Sequence, residues 1–355
     1  MTRRNGTRPV ALVTGGAGFV GTNLAHRLVE DGHRVRVLDS LARPGVERNL
    51  LWLRETHGSA VEAHVADIRD RDAVRGALAG ADQVFHFAAQ VAVTTSLEDP
   101  DADFGVNLVG THVLLEELRR LPEPPPLLFT STNKVYGALS DLPLELVGDR
   151  WEPRDPALRE SGLDEARPLD FCTPYGCSKG GADQYVLDYA KSYGLPAAVF
   201  RMSCIYGPHQ HGTEDQGWVA HFLLRALWND TITLYGDGRQ VRDLLWVEDL
   251  VDAFVRARDR IDALAGQAFN VGGGPRNRAS LVEVLELIRE VSGRPGDVTF
   301  APARQGDQRY YVADTRRLTA AVGWEPEMRV EPGVEELYRW LRSRSHAPVR
   351  VAAAR

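Results

Sequence analysis

The chain has 355 residues, 43% of them apolar, and a formal net charge of −7 with acids and bases interspersed. That length suits one large α/β unit or two unequal ones, and the apolar share is enough to build a packed core. An acidic chain without a basic block lacks the basic face that a nucleic-acid backbone needs, so nucleic acid is not expected as a partner; no apolar run reaches the ~18 residues of a membrane span.

From the N-terminus, short apolar runs alternate with amphipathic stretches, the pattern of βα units around a parallel sheet. Val10–Thr14 reads as the first strand, and Asn23–Glu30 falls in the helix after it. Strands are expected at Arg34–Leu38, Val61–Val65 and Gln83–Ala88, and a long helix over Val106–Arg120. Pro122–Pro126 ends that helix before a fifth strand at Leu127–Thr130. Ala138–Asp170 is polar and proline-dotted and reads as a surface loop. Tyr175–Tyr193 returns to helical periodicity, and Ala197–Arg201 reads as strand six. Beyond Tyr206 the chain offers a hairpin-like Thr231–Tyr235 with Gly236-Asp237-Gly238, then helices at Glu248–Asp259 and Ser280–Ser292. The expected fold is α/β: a Rossmann-type doubly wound parallel sheet with a smaller, mostly C-terminal domain. Residues 9–205, with 240–272 returning, would form the nucleotide domain. Residues 206–239 and 273–345 would bind substrate, and 1–8 and 346–355 would be flexible tails. With no signal segment at the N-terminus, a cytoplasmic protein is expected.

Thr14-Gly15-Gly16-Ala17-Gly18-Phe19-Val20-Gly21 is a G-x-x-G-x-x-G loop between a strand and a helix. Such a loop lets the backbone approach a pyrophosphate seated at the positive end of the helix. Asp39 ends the second strand, 18 residues beyond Gly21. A carboxylate there accepts from ribose hydroxyls and repels a 2′-phosphate, which favours NAD, although Arg43 stands close by. Asp67 with Ile68 would either meet the adenine or cap the next helix.

Tyr175 and Lys179 stand at i and i+4 on one helix face. A phenol acts as a base near neutral pH only if its anion is stabilised, which an ammonium and a nicotinamide cation both do. Only Lys134, Lys179 and Lys191 are lysine among 42 basic residues. In so arginine-biased a chain, a retained lysine hints that a compact ammonium is needed. The end of the fifth strand should supply a third group on the reacting oxygen, and Thr132 is chosen over Thr130 and Ser131. Cys172, Cys177 and Cys204 match no zinc spacing and read as reduced thiols. His86, His209 and His211 lack a further ligand at a useful spacing, so no metal is expected.

Together these residues resemble the extended short-chain dehydrogenase/reductase superfamily of sugar-nucleotide epimerases and dehydratases, over about residues 9–340. His86-Phe87-Ala88-Ala89, Asn107, Tyr206-Gly207-Pro208, Gly236–Asp243 and Arg304-Gln305-Gly306-Asp307 belong to the likeness. It implies NAD contacts from Gly15, Gly18, Phe19, Val20, Gly21, Asp39, Asp67, Ile68, Ala88, Ala89, Gln90 and Asn107, with Tyr175 and Lys179. It implies nucleotide-sugar contacts from Thr132, Asn133, Lys134, Cys204, Gln216, Arg242, Arg304 and Asp307, the two arginines on phosphate. It also implies a homodimer joined by a four-helix bundle from the helices around Asn107–Leu118 and Tyr175–Tyr189.

Dehydratases of that superfamily carry an Asp-Glu pair after the threonine, where this chain has Asn133-Lys134. An amide and an ammonium cannot do that acid–base work, so dehydration is disfavoured, and decarboxylation with it. Ser-Thr-Asn-Lys-Val-Tyr-Gly, the run from Leu169 to Tyr189 and Asp215-Gln216-Gly217-Trp218 are instead similar to the CDP-tyvelose (CDP-paratose) 2-epimerase branch. The expected activity is epimerisation through a transient keto-sugar, with a CDP-, UDP- or dTDP-linked substrate. A 4-epimerase, a UDP-glucuronate decarboxylase and a non-catalytic NAD-binding regulator are the alternatives.

Overall fold

A computed structural model of the chain describes residues 8–294 and 296–344. The expected tails, 1–8 and 346–355, lie outside the described residues apart from Arg8, which is exposed.

The first part alternates strand and helix. β1 (Val10–Thr14) leads to α1 (Phe19–Glu30), β2 (Arg34–Asp39) to α2 (Val46–His57), and β3 (Val61–Val65) to α3 (Arg71–Leu78). β4 (Gln83–His86) is followed by α4 (Val93–Glu98) and α5 (Pro100–Phe104). A π-helical turn, Gly105–Val109, then runs into α6 (Gly110–Arg119). After β5 (Leu127–Thr132) come β6 (Leu144–Val147), β7 (Arg150–Pro153) and α7 (Pro156–Ser161). The long α8 (Thr173–Tyr193) precedes β8 (Ala197–Met202). The remainder is β9 (Cys204–Tyr206), α9 (Trp218–Trp228), β10 (Ile232–Tyr235), β11 (Val241–Trp246), α10 (Val247–Arg258), α11 (Ile261–Leu264) and β12 (Ala268–Val271). It closes with β13 (Arg278–Ser280), α12 (Leu281–Ser292), β14 (Val298–Ala301), β15 (Tyr310–Tyr311), α13 (Arg316–Val322) and α14 (Val330–Arg344).

Seven strands form one parallel sheet in the order β12-β8-β5-β4-β1-β2-β3. Successive side chains of a strand point to opposite faces, and both faces here are covered. Val13, Val35, Phe85 and Phe200 pack with Leu24 and Leu28 of α1, Leu53 of α2 and Phe254 of α10. Their neighbours Leu12, Val84 and Val199 pack with Val74 of α3, Leu114 of α6 and Val186 of α8. Burying a side chain of this size contributes about 1.5–3 kcal/mol, which is why the runs are continuously apolar rather than alternating. A third core gathers α9, α12 and α14 over β10 and β11. Local signals set the helix ends: Asp70 caps α3 by accepting from the Asp72 and Ala73 amides, and Ser280 with Glu283 forms a capping box on α12.

Two expectations are corrected. Ala138–Asp170 is more than a surface loop: it carries the antiparallel β6–β7 pair and α7, and Leu139 and Leu163 are buried beside Val135, Tyr136, Tyr310 and Tyr311. The segment before Gly236-Asp237-Gly238 forms no hairpin. β10 pairs in parallel with β14, while β11 pairs with β9, β13 and β15. A turn of suitable composition is not enough when Ile232 and Leu234 are buried in the core of α9 and α12 and a distant strand takes the edge of β10.

Candidate active site

The C-terminal ends of β1, β2, β4, β5 and β8 open into a cleft of about 1010 Å³, the crevice where open parallel sheets take their ligands. The glycine loop forms its floor. Gly15 has φ +66°, and a Cβ there would come 2.6 Å from the Ala88 amide nitrogen; one on Gly21 would come 2.3 Å from the Gly15 carbonyl oxygen. α1 has no capping side chain and no acid in its first turn, so its first amides are free to bind an anion. Gly15, Gly18, Phe19, Val20 and Gly21 all line the cleft, as do Ala88, Ala89 and Gln90 from the end of β4.

Asp39 lines it as well, at the end of β2. Its carboxylate accepts from the Ala17 amide at 3.0 Å and the Leu41 amide at 2.9 Å. Burial raises its pKa, and those amides hold it back. Asp67 and Ile68 border the same region. Asp67 is not the helix cap, which is Asp70; it pairs with Arg69 at 2.7 Å, and that hydrogen bond holds it below the usual carboxylate value. A bare glycine cradle, an uncapped helix end and a carboxylate on the second strand fit a dinucleotide.

Asn107 is the exception among the expected contacts. It is fully buried outside the cleft wall, where its Oδ1 accepts from the Gln90 amide at 2.9 Å. Its Nδ2 donates to Asp103 and to Ser178 at 3.0 Å each. It shapes the wall through Gln90 rather than forming it.

Thr132, Tyr175 and Lys179 meet in the cleft. Thr132 ends β5; Tyr175 lies in the first turn of α8, behind Pro174, and Lys179 one turn on. Burial pushes the Tyr175 phenol up to about 12; a hydrogen bond with Thr132 opposes this, and the Asp103 carboxylate adds to it. Burial drives Lys179 down to about 7, against the pull of Asp183 and Asp103. Its Nζ donates to the Thr130 carbonyl at 2.7 Å and lies 4.3 Å from the centre of the Phe129 ring. α8 is fixed to the sheet by a buried bidentate pair: Arg201 of β8 donates to Asp183 at 2.9 and 3.0 Å, and to the Tyr136 hydroxyl at 3.2 Å.

The other end of the cleft is lined by Asn133, Lys134, Cys204, Gln216, Arg242, Arg304 and Asp307. Arg242 Nη2 pairs with Asp307 at 2.5 Å, and Lys134 Nζ lies 3.6 Å from the same carboxylate and donates to the Gly306 carbonyl at 3.1 Å. Burial lowers Lys134 to about 8, Asp307 resisting and Arg242 adding to the fall. Arg304 stacks 3.7 Å from the centre of the Tyr235 ring and pairs with Asp215 at 3.1 Å. The Cys204 thiol is pushed up to about 11 by burial and accepts from Trp218 Nε1. Asn133 borders the cleft, but its amide is engaged by Gln308 at 3.1 Å. Sequence reading missed Gln308 and Asp103, whose partners Asn133 and Ser178 lie far along the chain and leave no local pattern.

His86 is a buried core residue bonded to Thr14 at 2.6 Å and Thr111 at 3.0 Å, and burial keeps it neutral, near 3. Among the described residues, His26, Glu30 and His57 bring one ligand atom each within 4.8 Å, but none lines the cleft. The site therefore pairs a nucleotide cradle with a phenol, an ammonium and a hydroxyl, a set able to move a proton on a substrate oxygen while hydride moves at the attached carbon.

The family model of the NAD dependent epimerase/dehydratase family matches residues 11–272. The chain is 40% identical over 339 residues to the CDP-paratose 2-epimerase of Salmonella typhi, covering 94% of this chain and 99% of that protein. It is 35% identical to the UDP-glucose 4-epimerase of Mycolicibacterium smegmatis, over 94% and 99% of the two chains. The UDP-glucose 4-epimerase of Thermus thermophilus, solved as a complex with NAD, superimposes with a TM-score of 0.79 at 33% identity, over 94% and 99%.

Proposed function

The chain belongs to the NAD-dependent epimerase/dehydratase family of sugar-nucleotide enzymes, and from that premise we propose that it inverts one carbon of a nucleotide-linked sugar, C2 of a CDP-hexose in the manner of a CDP-paratose 2-epimerase. The observation that carries this reading is the pairing of a complete Thr132–Tyr175–Lys179 set with Asn133 and Lys134 in the place where a dehydratase needs acids. Lys134, held on Gly306 and beside Asp307, is in no position to do a carboxylic acid's work.

Gly15, Gly18, Phe19, Val20 and Gly21 would hold the pyrophosphate of NAD, Asp39 the adenosine ribose, and Lys179 the nicotinamide ribose. Asp67, Ile68, Ala88, Ala89 and Gln90 would line its path, with Asn107 acting through Gln90. When bound, NAD supplies the acceptor that takes hydride from a sugar carbon and the donor that returns it. Tyr175, as phenolate, takes the proton of the hydroxyl on that carbon, and Lys179 stabilises the anion. Thr132 holds the resulting carbonyl oxygen. Arg242 and Arg304 would bind the diphosphate, so that the keto-sugar can turn its other face while its nucleotide stays anchored. Tyr175 then gives the proton back as hydride returns. Cys204, Gln216 and Asp307 would contact the sugar or nucleotide.

The same set serves a 4-epimerase if the sugar docks differently, a second reading favoured by the likeness to UDP-glucose 4-epimerases. Incubation with CDP-, UDP- and dTDP-sugars in deuterated water, followed by proton NMR, separates the readings. Inversion at C2 of a CDP-sugar with its carbon-bound hydrogen retained is expected; inversion at C4 supports the second reading, and solvent deuterium at the inverted carbon contradicts both.

We also infer a homodimer through α6 and α8. Val109, Tyr185 and Tyr193 are 38%, 47% and 55% exposed on those helices or beside them, apolar area that a partner helix pair would cover.

A further inference from the structure

Next to the reacting residues lies a chain of buried side-chain amides whose orientation can be read without ambiguity. It starts at the Gly137 carbonyl, which can only accept. Gln308 Nε2 donates to that oxygen at 2.7 Å, so the amide nitrogen of Gln308 must face Gly137. Gln308 Oε1 is thereby turned to Asn133, and Asn133 Nδ2 donates to it at 3.1 Å. Asn133 Oδ1 then faces the other way, towards Thr132. The Thr132 hydroxyl donates to it at 3.3 Å and accepts from the Lys134 amide at 3.2 Å. Gln308 is fully buried, and Asn133 and Thr132 nearly so.

We propose that Gln308 is a positioning residue that fixes the direction of the Thr132 hydroxyl through Asn133. The inference rests on the reading of Thr132 and Tyr175 as the reacting pair. With Asn133 presenting an oxygen, the Thr132 proton is drawn to Asn133, and the bond from Thr132 that lowers the Tyr175 phenol is made only when that hydroxyl turns round. The neutral phenol is favoured, and the phenolate forms only when Thr132 turns its proton round; the long 3.3 Å bond to Asn133 makes that turn cheap. Without Gln308 the Asn133 amide can rotate and offer its NH2 to the Thr132 oxygen, driving the hydroxyl proton onto Tyr175. Position 133 is thus built for an amide: an aspartate there has no donor for Gln308 Oε1, which Gly137 holds in place.

The test reads the ionisation of Tyr175 in the NAD-saturated protein as near-ultraviolet phenolate absorbance against pH, with Tyr175→Phe as the blank. It needs no sugar, so its outcome is independent of the substrate. Charged groups around the phenol are unchanged in Gln308→Met, Asn133→Ala and the double variant: Asp103 acts on it from α5, Lys179 stands one turn along α8, and Lys134 is held at Gly306 and Asp307. Gln308→Met is expected to lower the midpoint by about one pH unit, Asn133→Ala to lower it similarly, and the double variant no further. Asn133→Ala removes the oxygen that Thr132 donates to while leaving Gln308 in place, which provides a second arm should Gln308→Met fail to fold. An unchanged midpoint in Gln308→Met or in Asn133→Ala, or additive shifts in the double variant, overturns the proposal.

Discussion

Lys179 Nζ donates to the carbonyl oxygen of Thr130 at 2.7 Å, so the ammonium of α8 is moored to the strand whose last residue is Thr132. The contact gives the buried ammonium an oxygen to donate to two residues before Thr132, in the wall of the cleft.

The same burial has a measurable cost. Lys179 falls from an ordinary value of 10.5 to about 7 in the folded protein. Between those values the unfolded chain holds the extra proton, so the penalty is complete below about pH 7 and fades as pH rises towards 10.5. Lys179→Met, compared with the wild type after removal of the cofactor, is expected to be more stable near pH 6 by roughly 1–3 kcal/mol in chemical denaturation. The gap should narrow at pH 9, while activity is lost. A variant less stable at both pH values would contradict this.

Tyr175→Phe keeps the ring packing and removes the proton-transfer oxygen. Turnover is expected to fall by about 10³-fold or more, while NAD, released by denaturation and measured by absorbance, stays bound at the wild-type ratio.

Asp183→Asn leaves the Arg201 guanidinium buried with half its ion pair gone. Thermal and denaturant unfolding should show a loss of about 3–5 kcal/mol. Replacing both residues with apolar side chains of similar size should recover most of it, because the uncompensated charge goes too.

Gly21→Ala would bring a methyl group to 2.3 Å from the Gly15 carbonyl oxygen, a backbone atom that cannot swing aside. α1 must then move off the loop. NAD affinity measured by calorimetry is expected to fall more than about tenfold, since the pyrophosphate site is made by that contact.

Tyr185→Arg places a charge in the apolar strip proposed to meet a second copy. Sedimentation should show a lighter species than the wild type; a wild-type protein that is monomeric at all concentrations would remove the dimer inference.

Much of the site was legible because its parts are local. The spacing of Tyr175 and Lys179, the glycines after β1 and the acid ending β2 each lie within one or two elements, where backbone hydrogen bonding and side-chain period leave few conformations. The hairpin expected at Thr231–Tyr235 misled for the opposite reason, since strand partners are chosen by burial across the whole fold. Asn107 was expected as a cofactor contact because the family likeness implied one; only the packing of α5, α6 and α8 buries it behind Gln90.

The sequence by itself determined a parallel α/β sheet, a dinucleotide loop, and a phenol and ammonium one helical turn apart. Tertiary structure decided what those groups face. Gln308 and Asn133 are 175 residues apart, and Lys134 meets Gly306 across 172. Such contacts carry no spacing in the sequence, because they exist only after the C-terminal segments close over the end of β5. That closure, paid for by the apolar cores around it, sets the hydrogen-bond direction of Thr132 and the charge around Lys134.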